Sequence, residues 1–410
     1  DFMAGRYTLR GDGASGSILN QGALRALPKG YVALIAPAVA NEGSIETPRG
    51  TTALVGAGAA TMSFLADGLV QIRVDEGALS AEIANRGAIR ADGGAVLLSA
   101  RARDNLGRAV VNNSGIVQAR GVENVNGVIR LVGDVAIHTG ELDASGPSGG
   151  SITMQARNVL SAGRINADGL TGAGGSVSVE ATGRILQTSA AHLSADGAAG
   201  GGEVTLQAAD RVFGSGTLTA TGQGAGSTGG EIKVLGNEIV LLGARLDASG
   251  DAGGGTILIG GDFQGNNPAV QNAATNWINF STTINADARN AGEGGKVIVW
   301  SDQETQFYGS ISARGGAISG DGGFIEVSGK ENLVFGGMAD ASSANGKPGT
   351  LLLDPKFIVI DAAGGGGLGS FLLADPNPGT GDQFAQQVVV LTNDNVVATD
   401  PNDDFAVSNA

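Results

Sequence analysis

The sequence predicts an all-β chain wound as a parallel β-helix, a solenoid of stacked coils that ends in a short C-terminal non-repeat segment. Two observations carry this: a motif that recurs at coil length, and a composition rich in glycine and aliphatic residues but poor in aromatics. Of 410 residues, 71 are Gly; hydrophobic residues make up 42% and aromatics only 4%. A globular core of this size normally fills its volume with bulky rings. Ala, Val, Leu and Ile suit instead a narrow interior between stacked strands. The absence of a three-residue glycine period, with only 10 Pro, excludes collagen. Regular β-branched runs exclude a disordered chain.

From Glu141 onward one unit recurs: an apolar residue, a short polar residue, Ala, a second small polar residue, Gly, a variable loop, a Gly-Gly pair and an alternating strand. LDASG followed by GGSITM is the first; INADG with GGSVSV, LSADG with GGEVTL and LTATG with GGEIKV continue it. The second glycine of each pair falls at 150, 175, 202, 230, 255, 295 and 323, at spacings of 25, 27, 28, 25, 40 and 28. Each unit reads as one coil. Period-two alternation sends one set of side chains inward and the other outward. The Gly-Gly pair is expected to supply positive φ at a sharp corner. Ala144, Ala167, Ala195, Ala220, Ala248, Ala286, Ala313 and Ala341 align as an interior corner too tight for a larger residue. The column before them (Asp143, Asn166, Ser194, Thr219, Asp247, Asn285, Ser312, Asp340) is expected to face solvent. Stacked coils share the core that no coil can bury alone, and at ~4.8 Å per coil roughly fifteen coils give a rod on the order of 70 Å long.

Residues 1–135 carry a shorter variant, in which NQGAL (Asn20), NEGSI (Asn41), NRGAI (Asn85) and NNSGIV (Asn112) mark the coils. Residues 136–361 carry the regular 25–28 residue coils, with an insertion at 261–280 inside the 40-residue spacing. Residues 362–410 read as a linker and the start of a further β domain. The insertion, DFQGNNPAVQNAATNWINF, brings together amides, Pro268 and the aromatics Phe263, Trp277 and Phe280. It supports two readings. Projecting loops on rigid scaffolds are where binding resides, which makes these three aromatics contact candidates; alternatively Trp277 and Phe280 fold back to plug the rod wall and leave the loop as a clasp, the reading we favour.

The runs GGKVIVWSDQETQFYGSISARGG, GDGGFIEVSGKENLVFGG and NGKPGTLLLDPKFIVI resemble the rod of filamentous haemagglutinin-like exoproteins of two-partner secretion. The opening DFMAGRYTLRG, with NQGALRALPKGYVALIAPAVANEGSI, is similar to the stretch that closes their secretion and haemagglutination domain. The resemblance covers about residues 1–360; the Asn-Pro-Asn signatures of the preceding part of that domain do not occur here. It implies a right-handed parallel β-helix, export through an outer-membrane β-barrel transporter, and adhesion at the bacterial cell surface to host cells, neighbouring cells or polysaccharide. FAQQVVVLTNDNVVATDPNDDFAVSNA more weakly resembles the start of an integrin-α-type propeller blade. Asp375, Asn377 and Asp382 approach calcium-loop spacing there, although Gly379 occupies the fifth position; no other cofactor is expected. The chain opens at Asp1 with no leader, which reads as a mature or excised segment.

The net charge of −15 disfavours nucleic acid and anionic membrane surfaces as partners. The absence of Cys fits a chain that crosses a periplasm unfolded. His138 and His192 lack a second ligand at metal spacing and read as solvated strand positions. No nucleophile elbow or phosphate loop is present, so the chain is not expected to be an enzyme. The rival within this fold is a β-helical polysaccharide lyase or hydrolase, for which Asp143, Asp168, Asp196 and Asp247 are the candidate carboxylates. They alternate with Asn, Ser and Thr, as turn-capping residues do. A second rival is a filament or surface-layer subunit contacting copies of itself. Arg10, Gly11 and Asp12 form an integrin-type tripeptide, more simply read as a chance match.

Overall fold

A computed structural model of the chain describes residues 6–11, 16–64, 70–103, 108–122, 125–360, 371–374, 388–390 and 396–398. The described chain is a parallel β-helix with three faces. Each coil runs along a first face (for example Ala95–Ala100), a second (Arg108–Asn113) and a short third (Ile116–Gln118), then pairs in parallel with the coil above it. The first two faces belong to one 23-stranded sheet, and in three coils they form a single strand: Ser151–Ser161, Ser176–Gln187 and Lys296–Phe307. A register shift between Ala156 and Asn158 marks the corner there. The third face is a separate 12-stranded sheet. Among the described residues those twelve strands put the coil number below the fifteen expected; at ~4.8 Å each the described rod is about 55–60 Å long.

Alternation places β-branched residues inward in register, as in Val96, Ile129, Ile152, Val177 and Val204, all at most 1% exposed. Each such side chain contributes ~1.5–3 kcal/mol of apolar burial. The alanine column is interior as expected: Ala144 through Ala313 are fully buried, and only Ala341, in the penultimate coil, is partly open. The polar column beside it is not simply solvent-facing. Asp143 and Ser194 are buried and most of the others half-buried, because the Asp and Asn side chains turn back to cap corner amides while Ser194, Thr219 and Ser312 donate to Asp168, Asp196 and Asp287 of the preceding coil.

The glycine pairs do not serve the purpose expected of them. Neither member of any pair from Gly149 to Gly323 has positive φ. They are glycine because the coils touch there. A Cβ on Gly175, Gly202, Gly230, Gly255, Gly295 or Gly323 would lie closer than 3.0 Å to the carbonyl oxygen of the equivalent glycine one coil earlier. The same amide closes the corner loop at its base, since Gly150 N donates to Ala144 O, Gly230 to Ala220 and Gly349 to Ala341, at 2.7–2.8 Å. Loop length therefore varies without disturbing strand register.

A second column changes chemistry along the rod. At the inner end of each second-face strand, Asn20 donates to Asn41, Asn41 to Asn85, and Asn85 to Asn113, each at 2.8 Å. Asn113 then donates to His138 Nδ1 at 3.2 Å. The ladder member is Asn113 and not Asn112, which faces outward; Asn113-Ser-Gly preserves the Asn-x-Gly spacing of the other coils. Beyond His138 the column runs Ser161, Gln187, Gly214, Leu241, Ile278 and Phe307, passing from amides to aromatics. Phe307 stacks on Phe335 with ring centroids 5.6 Å apart.

Two regions depart from the coil plan. Arg6–Arg10, Ala59–Phe64 and Val70–Glu76 form a three-stranded antiparallel sheet, so among the described residues the parallel coils begin at Ser17 and not at the start of the 1–135 range. This sheet lies on the outside of the first face, where Ile72 and Val74 pack on Ala53, Val55 and Ala57. At the other end the last parallel strand, Phe357–Ile360, pairs antiparallel with Phe371–Ala374, and Val388–Val390 pairs with Val396–Ala398. Apart from one 3-10 turn, Phe263–Gly265, no helix occurs among the described residues.

Candidate functional site

The insertion is shorter than its sequence suggested, because strand Ala273–Ile278 belongs to the second face and returns residues 273–278 to the rod. Residues 260–272 fold over the outer side of the first face. There Leu258, Ile298 and Trp300 are at most 5% exposed although they point out of the rod, and Val270 and Phe324 complete a small outer core. Gly260, Gly261 and Gly265 turn the loop with positive φ, and a Cβ on Gly265 would strike the Trp300 indole. Trp300 Nε1 donates to Asp302 at 3.1 Å.

Polar contacts fasten the loop. Asp262 accepts from Lys296 (2.7 Å), Asn267 (2.9 Å) and the Phe263 amide (2.7 Å). Burial opposes ionisation of Asp262, but these three donors outweigh it and hold its pKa at about 2. At the tip, the Gln264 amide donates to both Glu326 oxygens (3.3 and 3.2 Å) and its side chain to Asp354 (3.1 Å). Glu326 is fully buried, and the loss of solvent raises its pKa to about 7 despite the Gln264 and Ser328 donors. The loop is a clasp held over neighbouring coils, but the aromatic it covers is Trp300; Trp277 and Phe280, expected to plug the wall, stay exposed.

The three aromatic candidates have separate settings. Phe263 sits in the clasp, edge-on to Phe324 at 5.7 Å and 40% exposed. Trp277 stands on the outer side of the second face, 38% exposed, between its register partners Val240 and Gln306. Phe280 lies at the next corner and is 84% exposed. Arg10 ends the outer antiparallel strand with an ion pair to Glu76 (3.5 Å), and the Gly11 amide donates to Gly58 O. Asp12 lies outside the described residues, as do Asp375, Asn377 and Asp382.

The histidines differ from expectation. His138 is fully buried in the asparagine ladder, with Nε2 donating to Arg164 O at 3.1 Å, and burial lowers its pKa to about 4. His192 is half-buried on the third face, its pKa lowered by desolvation and then by Arg164. The candidate carboxylates do not converge. Asp143 takes Arg120 at 2.6 Å and the Ser145 amide and hydroxyl. Asp168 takes the Asp196 amide and the Ser194 hydroxyl, Asp196 the Thr221 amide, and Asp247 the Ser249 amide. Among the described residues no three His, Cys, Asp or Glu side chains gather closely enough to hold a metal. A groove of about 1210 Å³ follows the corner between the first and second faces, lined by Arg101, Arg103, Arg108 and Arg157 together with Asp134 and Glu180.

Sequence reasoning passed over Trp300. The signal lay in TILI and KVIVW, where apolar residues occupy consecutive positions and so must be covered on both sides of the sheet.

The class this architecture defines is a parallel β-helical rod. No family model matches the chain, and no curated protein does. Among solved structures it is similar to the crystal structure of the HMW1 secretion domain from Haemophilus influenzae, with a TM-score of 0.50 and 21% identity, over 82% of this chain and 88% of that one. At that identity the likeness is one of fold.

Proposed function

We propose that the chain is the rod of a secreted bacterial surface protein that mediates adhesion and carries out no catalysis. The observation that supports it best is the twelve-strand coil stack itself, a stiff spacer whose fold is similar to a secretion domain. Its corner carboxylates are engaged in capping backbone amides, which leaves the exposed aromatics Trp277 and Phe280 as the contact groups. Aromatic faces standing out of a rigid wall suit sugars and protein surfaces alike. Export through an outer-membrane β-barrel transporter follows from the same reading.

The test uses the purified chain on cell monolayers and on immobilised acidic and neutral polysaccharides. Saturable binding without new reducing ends or unsaturated products is the expected result. Trp277→Ala with Phe280→Ala should weaken that binding and leave the melting temperature unchanged. Release of sugar products would overturn the proposal in favour of a lyase or hydrolase.

A further inference from the structure

The second face carries a feature larger than the single contact group Trp277, which stands at one end of it. Its outward column runs Ile137, Leu160, Leu186, Phe213, Val240 and Trp277, each the register partner of the next. An outward strand column is ordinarily polar, and that of the first face runs Arg130, Thr153, Ser178, Thr205 and Lys233. Leu186 is 44% exposed and Trp277 38%. Five steps of ~4.8 Å make an apolar stripe about 24 Å long. Outer apolar residues on the first face are covered by the clasp or by the outer antiparallel sheet; among the described residues no such segment covers this stripe.

The neighbouring outward column supplies charge in a definite order. Arg184 and Arg211 come first, then Glu238, and Glu304 two coils later. Arg211 and Glu238 already pair within the chain. We propose that this face packs against the same face of a second copy, with the two rods antiparallel. A two-fold axis along the strand direction, midway between the levels of Arg211 and Glu238, sets Arg211 of each copy opposite Glu238 of the other. It also sets Phe213 opposite Val240, and Leu186 opposite Trp277. Both surfaces present one side chain per coil, so their ridges share a period. An isologous contact of this kind closes on itself as a dimer.

Size and charge set its strength. With its flanking columns the stripe covers about 500 Å² per copy, below the ~800 Å² per partner of standard interfaces. Two chains of net charge −15 repel each other, and salt screens that repulsion. The contact is therefore weak, dependent on concentration and strengthened by moderate salt.

Sedimentation velocity of the whole chain, from micromolar to millimolar, should show monomer passing to dimer, at lower concentration when salt is added. Leu186→Lys and Val240→Lys, both on the outer side, should each weaken association about tenfold or more at unchanged melting temperature. Arg211→Glu should weaken it, and the double exchange Arg211→Glu with Glu238→Arg should restore it. A chain that stays monomeric at millimolar concentration, or a dimer indifferent to both lysine variants, overturns the proposal. A dimer that responds to lysine but is not restored by the double exchange overturns the antiparallel arrangement.

Discussion

Replacing Gly230 with Ala tests why the corner pair is glycine. A Cβ there would stand 2.6 Å from the Gly201 carbonyl carbon and 2.8 Å from Gly202 N, and closer still to Gly202 O. All three atoms are backbone of the preceding coil, held by strand pairing on either side. Non-bonded carbon contacts relax at about 3.5–4.0 Å, so the two coils must part locally by close to 1 Å. That strains the Glu231 N to Gly202 O bond (2.9 Å) and the Gly230 N to Ala220 O clip (2.7 Å). Overpacking by one methyl costs ~1–3 kcal/mol, and weakening two backbone hydrogen bonds adds about 1 kcal/mol each; the expected loss is ~3–5 kcal/mol. Gly226 is the control, with φ of 77° and nothing within 4 Å of its Cβ position. Gly226→Ala should cost only the left-handed strain, ~1–2 kcal/mol. Both variants restrict the unfolded chain equally, so the difference sets the coil contact at Gly230 against the left-handed strain alone at Gly226. Urea unfolding is followed by far-UV circular dichroism and by the fluorescence of Trp277 and Trp300, read separately because stacked coils also open locally. Equal losses at the two sites, or a Gly230→Ala loss within about 0.5 kcal/mol of zero, would refute the steric account.

Other outcomes follow from the same structure. Ala220→Leu should lower stability by ~1–3 kcal/mol through overpacking of the buried corner, as measured by urea midpoint. Trp300→Ala should cost ~3–5 kcal/mol by emptying the outer core under the clasp, and Trp277→Ala less than about 1 kcal/mol. His138 has a pKa of about 4 in the fold against 6.5 when exposed. The unfolded chain therefore takes up the proton first, and stability falls as pH drops from 6.5 toward 4; His138→Asn should remove that fall and extend the amide ladder. Glu326 has the opposite sign, its pKa raised from 4.5 to about 7. Its contribution is fully present below pH 4.5 and is lost as pH rises toward 7. Glu326→Gln should abolish that loss, at most about 3 kcal/mol, and expose the His138 slope in a pH series of melting temperatures. An unchanged pH profile in both variants would exclude these two groups as its source.

The coil length, the inward faces and the alanine corner were legible in the sequence, because in a solenoid each structural position returns at a nearly fixed interval. What was hidden belongs to features that occur once or that leave periodicity intact. Ala59–Phe64 and Val70–Glu76 alternate as any coil strand does, so period two could not separate an outer hairpin from the rod wall; the 44-residue step from Asn41 to Asn85 was the only trace. The glycine pairs were located but explained wrongly, since a requirement for positive φ and a forbidden Cβ both read as Gly. His138 looked like a lone polar residue on a strand until its register with Asn113 placed it at the end of a ladder. For the candidate surface, the aromatics were found, but Trp277 was assigned to a loop when it stands on a strand. The clasp took Trp300 instead, through hydrogen bonds from Gln264 to Glu326 and Asp354 that span 62 and 90 residues.

The amide clip at each corner has a consequence for what can be attached to the rod. Between the clipped residues the chain advances six positions at Ala144 and Gly150 but ten at Ala220 and Gly230, and the strands on either side keep the same partners. The strand register thus follows the two ends of the loop, although Gln223 N and Gly224 N also donate to Gly197 O and Ala198 O of the neighbouring loop and an insert must keep or replace those bonds. A foreign peptide spliced between Gly222 and Ser227 would be displayed at a known height, and a second in the next coil would stand ~4.8 Å further along. Used this way the molecule is a ruler with exchangeable markings, in which the spacing between displayed groups is set by counting coils.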